Sequence, residues 1–197
     1  MMPKFRRETR RHLLATAVSA LAAPALLSGC AAWSGLPPLP PAPPGGYRLG
    51  TGDRLRVVVF GQKQLTATYL VDASGMIDLP LLGPVRAAGR TTAALRRAIA
   101  RALVAKGILR HPAVAVEVKA YRPFSILGEV NKPDQYAFEP GMTVLAAVSL
   151  AGGFTYRAAE SEVGVIRVTG GTPREYRAPV SALIEPGDVI RVFERHF

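Results

Sequence analysis

The chain has 197 residues, with 25 Lys and Arg against 14 Asp and Glu, three His and a single Cys. One cysteine excludes a disulfide-built fold, and basic residues scattered without interleaved aromatics argue against a nucleic-acid patch. Residues 1–29 carry five basic residues and one acid, a net +4 of the formal +11, so +7 stays on residues 30–197.

In chain order, Lys4, Arg6, Arg7, Arg10 and Arg11 precede LLATAVSALAAPALL, residues 13–27, which holds no charge. Those fifteen residues fall short of the ~20 that a helical span needs. The basic-then-apolar order predicts a signal peptide over residues 1–29. Ser28 and Gly29 stand before Cys30, and LSGC resembles the lipobox of bacterial lipoproteins. That resemblance implies lipidation of Cys30, with Ala31 directing sorting to the outer membrane. Acyl chains there anchor without spanning, at about 0.8 kcal/mol per buried CH₂. TRRHLL at residues 9–14 resembles a twin-arginine export motif, and the choice between that route and the general one stays open. Residues 30–46 continue as AWSGLPPLPPAPPGG after the Cys30–Ala31 step, a proline-rich tether expected to hold extended polyproline II at roughly 3.1 Å per residue.

Residues 47–121 form the first expected domain. YRLGTGDRLRVVVF places Leu55, Val57 and Val59 in alternation with Arg54, Arg56 and Val58, a strand behind a Gly-rich turn. Two apolar runs then flank Asp72, Ala73, Ser74 and Gly75, a hairpin signal. The period changes in GRTTAALRRAIARALVAKG, where Leu95, Ile99 and Leu103 fall on one helical face and Arg97 and Arg101 on the other. Thr91 or Thr92 caps its start and Gly107 its end. AVAVEVKAY, with Val114, Val116 and Val118 on one face, is a closing strand.

Residues 122–197 form the second. SILGEV is a short strand, NKPD a turn, QYAF a second strand and EPGM another turn. Thr143 caps a short helix, VLAAVSLA, that Gly152 and Gly153 terminate. VGVIRVT, REYRAPV and EPGDVIRVF are strands, the middle one placed at an edge by Pro179. Strands around one short helix predict a β-grasp unit, so the fold class is α+β.

These residues resemble a known family. GDRLRVVVF, with the hairpin, helix and VAVEV strand after it, is similar to the export domain of outer-membrane polysaccharide export proteins, the Wza-like group. GEVNKP and TVLAAVSLAGG resemble the soluble-ligand-binding β-grasp (SLBB) module that follows it there. The family usually has Gly after the Lys-Pro turn where this chain has Asp134, which predicts an altered turn and an intact fold. The resemblance implies a small polysaccharide-export α+β domain followed by one SLBB domain. It implies a lipid-anchored component of an exopolysaccharide or capsule export machine at the outer membrane, facing the periplasm. It also implies a homo-oligomeric ring forming a conduit. VFERHF, the last six residues, is too short to cross a bilayer. A separate outer-membrane partner, a β-barrel, is therefore expected, with an inner-membrane polysaccharide co-polymerase as a further contact. The remaining basic charge is compatible with an anionic polysaccharide. The alternative reading is a monomeric periplasmic lipoprotein that binds a glycan and forms no conduit.

No catalytic residue, metal site or cofactor is expected. His12 lies in the signal, His111 precedes Pro112 and His196 is next to last, with no metal-ligand spacing among them. No glycine pair opens a phosphate loop. Asp53 and Asp188 raise the question of paired carboxylates, but each follows a glycine (Gly52, Gly187) in a turn, where an Asp side chain bonds nearby backbone N–H groups. These four residues, with Gly152 and Gly153, are read as structural turns.

Overall fold

The computed structural model describes residues 35–41 and 45–195. The expected signal peptide over residues 1–29 and the expected lipidation at Cys30 lie outside the described residues. The architecture is α+β, as expected: two small cores, each a sheet covered by one helix.

In the first module, β1 (Arg54–Val59) is the centre of an antiparallel sheet, flanked by β2 (Ala67–Leu70) and β5 (Val114–Ala120). Alternation buries Leu55, Val57 and Val59 on one face and leaves Arg54 and Arg56 exposed on the other. Helix α1 (Thr92–Ala105) lays Leu95, Ile99 and Leu103 on the buried face. The Thr91 hydroxyl accepts the Ala94 N–H at its start. At its end Gly107 N–H donates to Val104 O and Ile108 N–H to Leu103 O, with Gly107 at φ 68°, a Schellman closure.

The hairpin expected across residues 72–75 is not there. Strand β2 pairs with β1 instead, while β3 (Met76–Leu79) pairs with β4 (Gly83–Arg86) in a separate two-stranded ribbon. The local reason is Asp72, whose carboxylate accepts Met76 N–H at 2.9 Å and the Ser74 hydroxyl at 2.6 Å, so the ladder gives way to a side-chain turn. The real reversal runs over Pro80, Leu81 and Leu82, with Leu81 at φ 64°.

In the second module the sheet order is β7-β6-β10-β8-β9, from β6 (Phe124–Gly128), β7 (Asp134–Tyr136), β8 (Glu162–Thr169), β9 (Thr172–Pro179) and β10 (Val189–Val192). The first and last strands, β6 and β10, are neighbours and parallel; every other pairing is antiparallel. Helix α2 (Val144–Leu150) covers one face, burying Val144, Ala147 and Val148 against Phe124, Ile126, Val165 and Ile190. Asp134 opens β7, and the turn before it is closed by Tyr136 OH donating to Lys132 O.

Strand β9 is the edge strand that Pro179 predicted, but its outer side is partly covered by the proline-rich run. Leu39 N–H donates to Arg177 O and Arg177 N–H to Pro37 O, both at 2.8 Å. Leu39 is the only residue from 37 to 41 that has an N–H to give, since the others are prolines. Its side chain packs on the second core. Over these residues the tether is therefore bound to the fold along an open sheet edge, where a free spacer was expected.

Candidate functional site

The turn ahead of β1 runs Gly50, Thr51, Gly52, Asp53, with Gly52 at φ 92°. Asp53 N–H closes it onto Gly50 O, and Asp53 Oδ2 accepts the Gly50 N–H at 2.8 Å. The carboxylate is fully buried and takes three further bonds: Tyr47 OH to both oxygens (2.9 and 2.7 Å) and Arg122 N–H to Oδ1 at 3.0 Å. Burial first, and then the hydrogen bond to Asp53 and its charge, holds the Tyr47 phenol above the ordinary tyrosine range. Its hydroxyl therefore remains a donor at any physiological pH.

The turn ahead of β10 repeats this plan. Gly187 has φ 85°, Asp188 N–H donates to Glu185 O, and Asp188 Oδ2 accepts the Glu185 N–H at 2.8 Å. The remaining partner differs. Arg167, on β8, gives Asp188 a two-pronged pair, Nε to Oδ1 at 2.9 Å and Nη2 to Oδ2 at 2.6 Å, and reaches Glu185 through Nη1. Burial pulls the Arg167 pKa down, but the bonds and charge of Asp188, with Glu185, outweigh it and leave the guanidinium more basic than usual.

The two turns meet at Arg122, the residue between the modules. Its backbone N–H holds Asp53 of the first turn, and its Nε donates to Pro186 O of the second at 2.8 Å. Arg122 packs closely on both turns: a Cβ on Gly50 would stand 1.7 Å from Arg122 Nη1, and one on Gly187 2.5 Å from Nε, so a side chain at either place would displace the guanidinium. Aromatic rings continue the seam. Tyr121 meets Tyr47 edge-on at 5.1 Å and Phe138 of the second module at 5.5 Å, and the Arg122 guanidinium lies 5.9 Å from the Tyr47 ring centre.

Gly152 and Gly153 belong to a different group. They end α2, and the Asn131 amide reaches across to donate to Gly152 O at 2.8 Å, and at 3.3 Å to Gly153 O and Phe154 O. Backbone bonds from Asn131 to Gly153 O and from Lys132 to Ala151 O reinforce the contact. GEVNKP and TVLAAVSLAGG, far apart in sequence, are thus two halves of one structural lock.

The structure brings Gly52, Asp53 and Gly187 to one place, and leaves Asp188 one residue away in its own ion pair. Both carboxylates are buried and saturated with donors, which suits them to hold turns and not to move protons. Among the described residues no three His, Cys, Asp or Glu side chains gather as a metal site. Sequence reasoning missed Arg122, Tyr47, Asn131 and Arg167; the one local signal was Arg122's place at the domain boundary.

Residues 41–119 match the family described as polysaccharide biosynthesis/export protein, and residues 123–178 match the SLBB domain. Exopolysaccharide production protein ExoF of Rhizobium meliloti (strain 1021) is 36% identical over 118 residues, which cover 54% of this chain and 28% of that protein. EPS I polysaccharide export outer membrane protein EpsA of Ralstonia solanacearum is 31% identical over 185 residues, 76% of this chain and 48% of its own length. EpsA of Ralstonia nicotianae (strain ATCC BAA-1114 / GMI1000) is 29% identical over the same span. The chain spans about half or less of the length of these curated relatives. No helix among the described residues is long and apolar enough to cross a membrane.

Proposed function

The chain belongs to the polysaccharide biosynthesis/export protein family, and on that premise we propose that it is a non-catalytic component of an exopolysaccharide or capsule export machine. In this reading residues 1–29 are a signal peptide and Cys30 carries a lipid anchor in the outer membrane. Residues 47–121 and 122–197 are the export and SLBB modules, facing the periplasm. Copies assemble into a ring that conducts polymer together with an outer-membrane β-barrel and an inner-membrane co-polymerase.

One observation carries the reading: the export and SLBB modules stand in that order, and 76% of the chain aligns with a protein named for polysaccharide export at the outer membrane. The seam at Arg122 supports it by joining the two modules into one unit through both Gly-Asp turns.

Deleting the gene tests the role. Loss of extracellular polymer, restored by the intact gene, is the expected result; normal polymer outside the cell would sink the proposal. Light scattering on the detergent-extracted chain should give a mass several times that of one copy, and a strictly monomeric mass at high concentration would remove the ring. A Cys30→Ala variant should leave the outer-membrane fraction.

A further inference from the structure

Two shallow grooves flank helix α1. The first, of about 430 Å³, lies between α1 and β4 and is lined by Arg86, Arg90 and Arg101 over a floor of Ala98, Ala102 and Pro84. The second, of about 590 Å³, lies on the other flank, with Arg101, Arg110 and His111 above Ala100, Val104 and Pro112. They share two lining residues, Arg101 and Ala105, near the end of the helix. No acidic residue lines either groove.

We propose that these grooves form one track for a carboxylate-bearing polysaccharide, with Arg86, Arg90, Arg101 and Arg110 as its charged contacts. The proposal rests on the export reading above and adds the place, the polymer's charge and the residues.

The distribution of charge is the first argument. Residues 47–121 hold twelve basic and four acidic residues, a net +8, while residues 122–197 hold eight basic and nine acidic, a net −1. In the second module Arg157, Arg167 and Arg177 each meet a carboxylate of the same module. Among the described residues none of the four groove arginines is in an ion pair. Their positive field is therefore not neutralised within the described fold.

Side-chain chemistry is the second. All four are arginines, whose planar fork grips a carboxylate with two parallel N–H···O bonds, where lysine offers a point charge. The alanine and proline floor gives small apolar surface against which the C–H faces of sugar rings can lie. An open groove cannot enclose a small molecule, but it admits a chain running through. Nucleic acid fits less well, because neither groove offers a Phe, Tyr or Trp for a base to stack on. A membrane surface fits less well too: such a face carries large apolar residues that insert, and here the largest are two valines, Val85 and Val104.

The test uses the full chain in detergent, titrated calorimetrically with a short oligogalacturonate, with dextran, and with phosphatidylglycerol vesicles. Oligogalacturonate should bind, more weakly as salt rises, and dextran should not. The pair Arg86→Gln and Arg101→Gln should weaken binding about tenfold or more, because two bidentate contacts are lost. The pair Arg54→Gln and Arg56→Gln removes the same charge from the opposite face of the sheet and should change it by less than about twofold. Arg54, Arg56, Arg86 and Arg101 are exposed, and circular dichroism checks folding; Arg90→Gln with Arg110→Gln, the first half-buried and the second exposed, gives a second groove pair. Equal losses from groove and sheet-face pairs would overturn the track, since net charge alone would then explain binding. So would equal affinity for dextran, or binding to vesicles without binding to oligogalacturonate. If deletion abolishes export but the purified chain ignores oligogalacturonate, the track fails and the export reading stands. If the chain binds it through the groove but deletion leaves export normal, the export reading alone fails.

Discussion

The turns ahead of β1 and β10 use the same four-residue plan, a glycine at positive φ followed by an aspartate whose Oδ2 takes the N–H three residues back at 2.8 Å. They differ in what else the carboxylate holds. Asp53 accepts from a phenol and a backbone N–H, while Asp188 holds a buried guanidinium. The motif specifies the turn, and the neighbours that the fold delivers specify its energetics. One is a clamp of neutral donors at the seam between modules, with the part-exposed Arg122 guanidinium at a long 4.0 Å from Asp53 Oδ2. The other is an ion pair inside the second module.

The difference predicts unequal costs. Asp188→Ala leaves Arg167, whose side chain is 8% exposed, with Glu185 as its one charged partner and a long 3.5 Å bond to Leu183 O. Breaking a buried pair on one side costs about 3–5 kcal/mol, read as a fall in the urea midpoint at unchanged slope. Asp53→Ala comes next. It removes the acceptor for three donors, from Tyr47, Gly50 and Arg122. Each buried donor left alone costs about 1–3 kcal/mol, and partial hydration at the half-buried Tyr47 and Arg122 should hold the total to about 2–4. The Asn variants sharpen the contrast. Asp53→Asn keeps an acceptor for neutral donors and should recover much of the loss, whereas Asp188→Asn cannot neutralise Arg167. Equal losses in the two Asn variants would break the distinction.

Smaller effects come from the glycines. Gly52→Ala meets only ordinary contact, 3.5 Å from Arg122 Cβ, so its cost is that of positive φ, about 1–2 kcal/mol. Gly187→Ala has the same backbone cost plus a Cβ 2.5 Å from Arg122 Nε, and should lose more. Arg122→Ala removes that collision, so in its background the two glycine variants should cost the same. Additive losses in that double-mutant cycle would show that Arg122 does not couple to the second turn.

The comparison also shows what the sequence could express. Period-2 strands, the α1 face of Leu95, Ile99 and Leu103, and the Thr caps depend on neighbours within a few residues, and they were legible. Arg122 was not, because its partners Asp53 and Pro186 lie 69 and 64 residues away. Asn131 was hidden for the same reason, its carbonyl partners being 21 to 23 residues on. The misplaced hairpin has another cause. DASG at residues 72–75 looks like a hairpin turn, and it is a turn, but local pattern cannot say that β2 is already paired with β1. Leu39 on the β9 edge was invisible because composition describes a proline run's stiffness, not its docking.

That third aspartate turn gives the smallest prediction and isolates what burial adds. Asp72 is exposed, and the Ser74 hydroxyl first, then the Met76 N–H, holds its carboxyl below the usual Asp range. A carboxylate depressed in the folded state stabilises the fold above its unfolded pKa, near 4, and that contribution fades as pH falls through the folded value. Water competes for both bonds, so the stability change should be far smaller than at Asp188. A carboxyl-carbon NMR titration of Asp72 in the full chain reads the shift directly. Ser74→Ala should raise the midpoint towards the ordinary Asp value with little change in melting temperature. An unmoved midpoint would mean that the hydroxyl is not the cause. A large loss of stability at neutral pH would mean that exposed and buried aspartate turns do not differ as the Asp53 and Asp188 contrast requires.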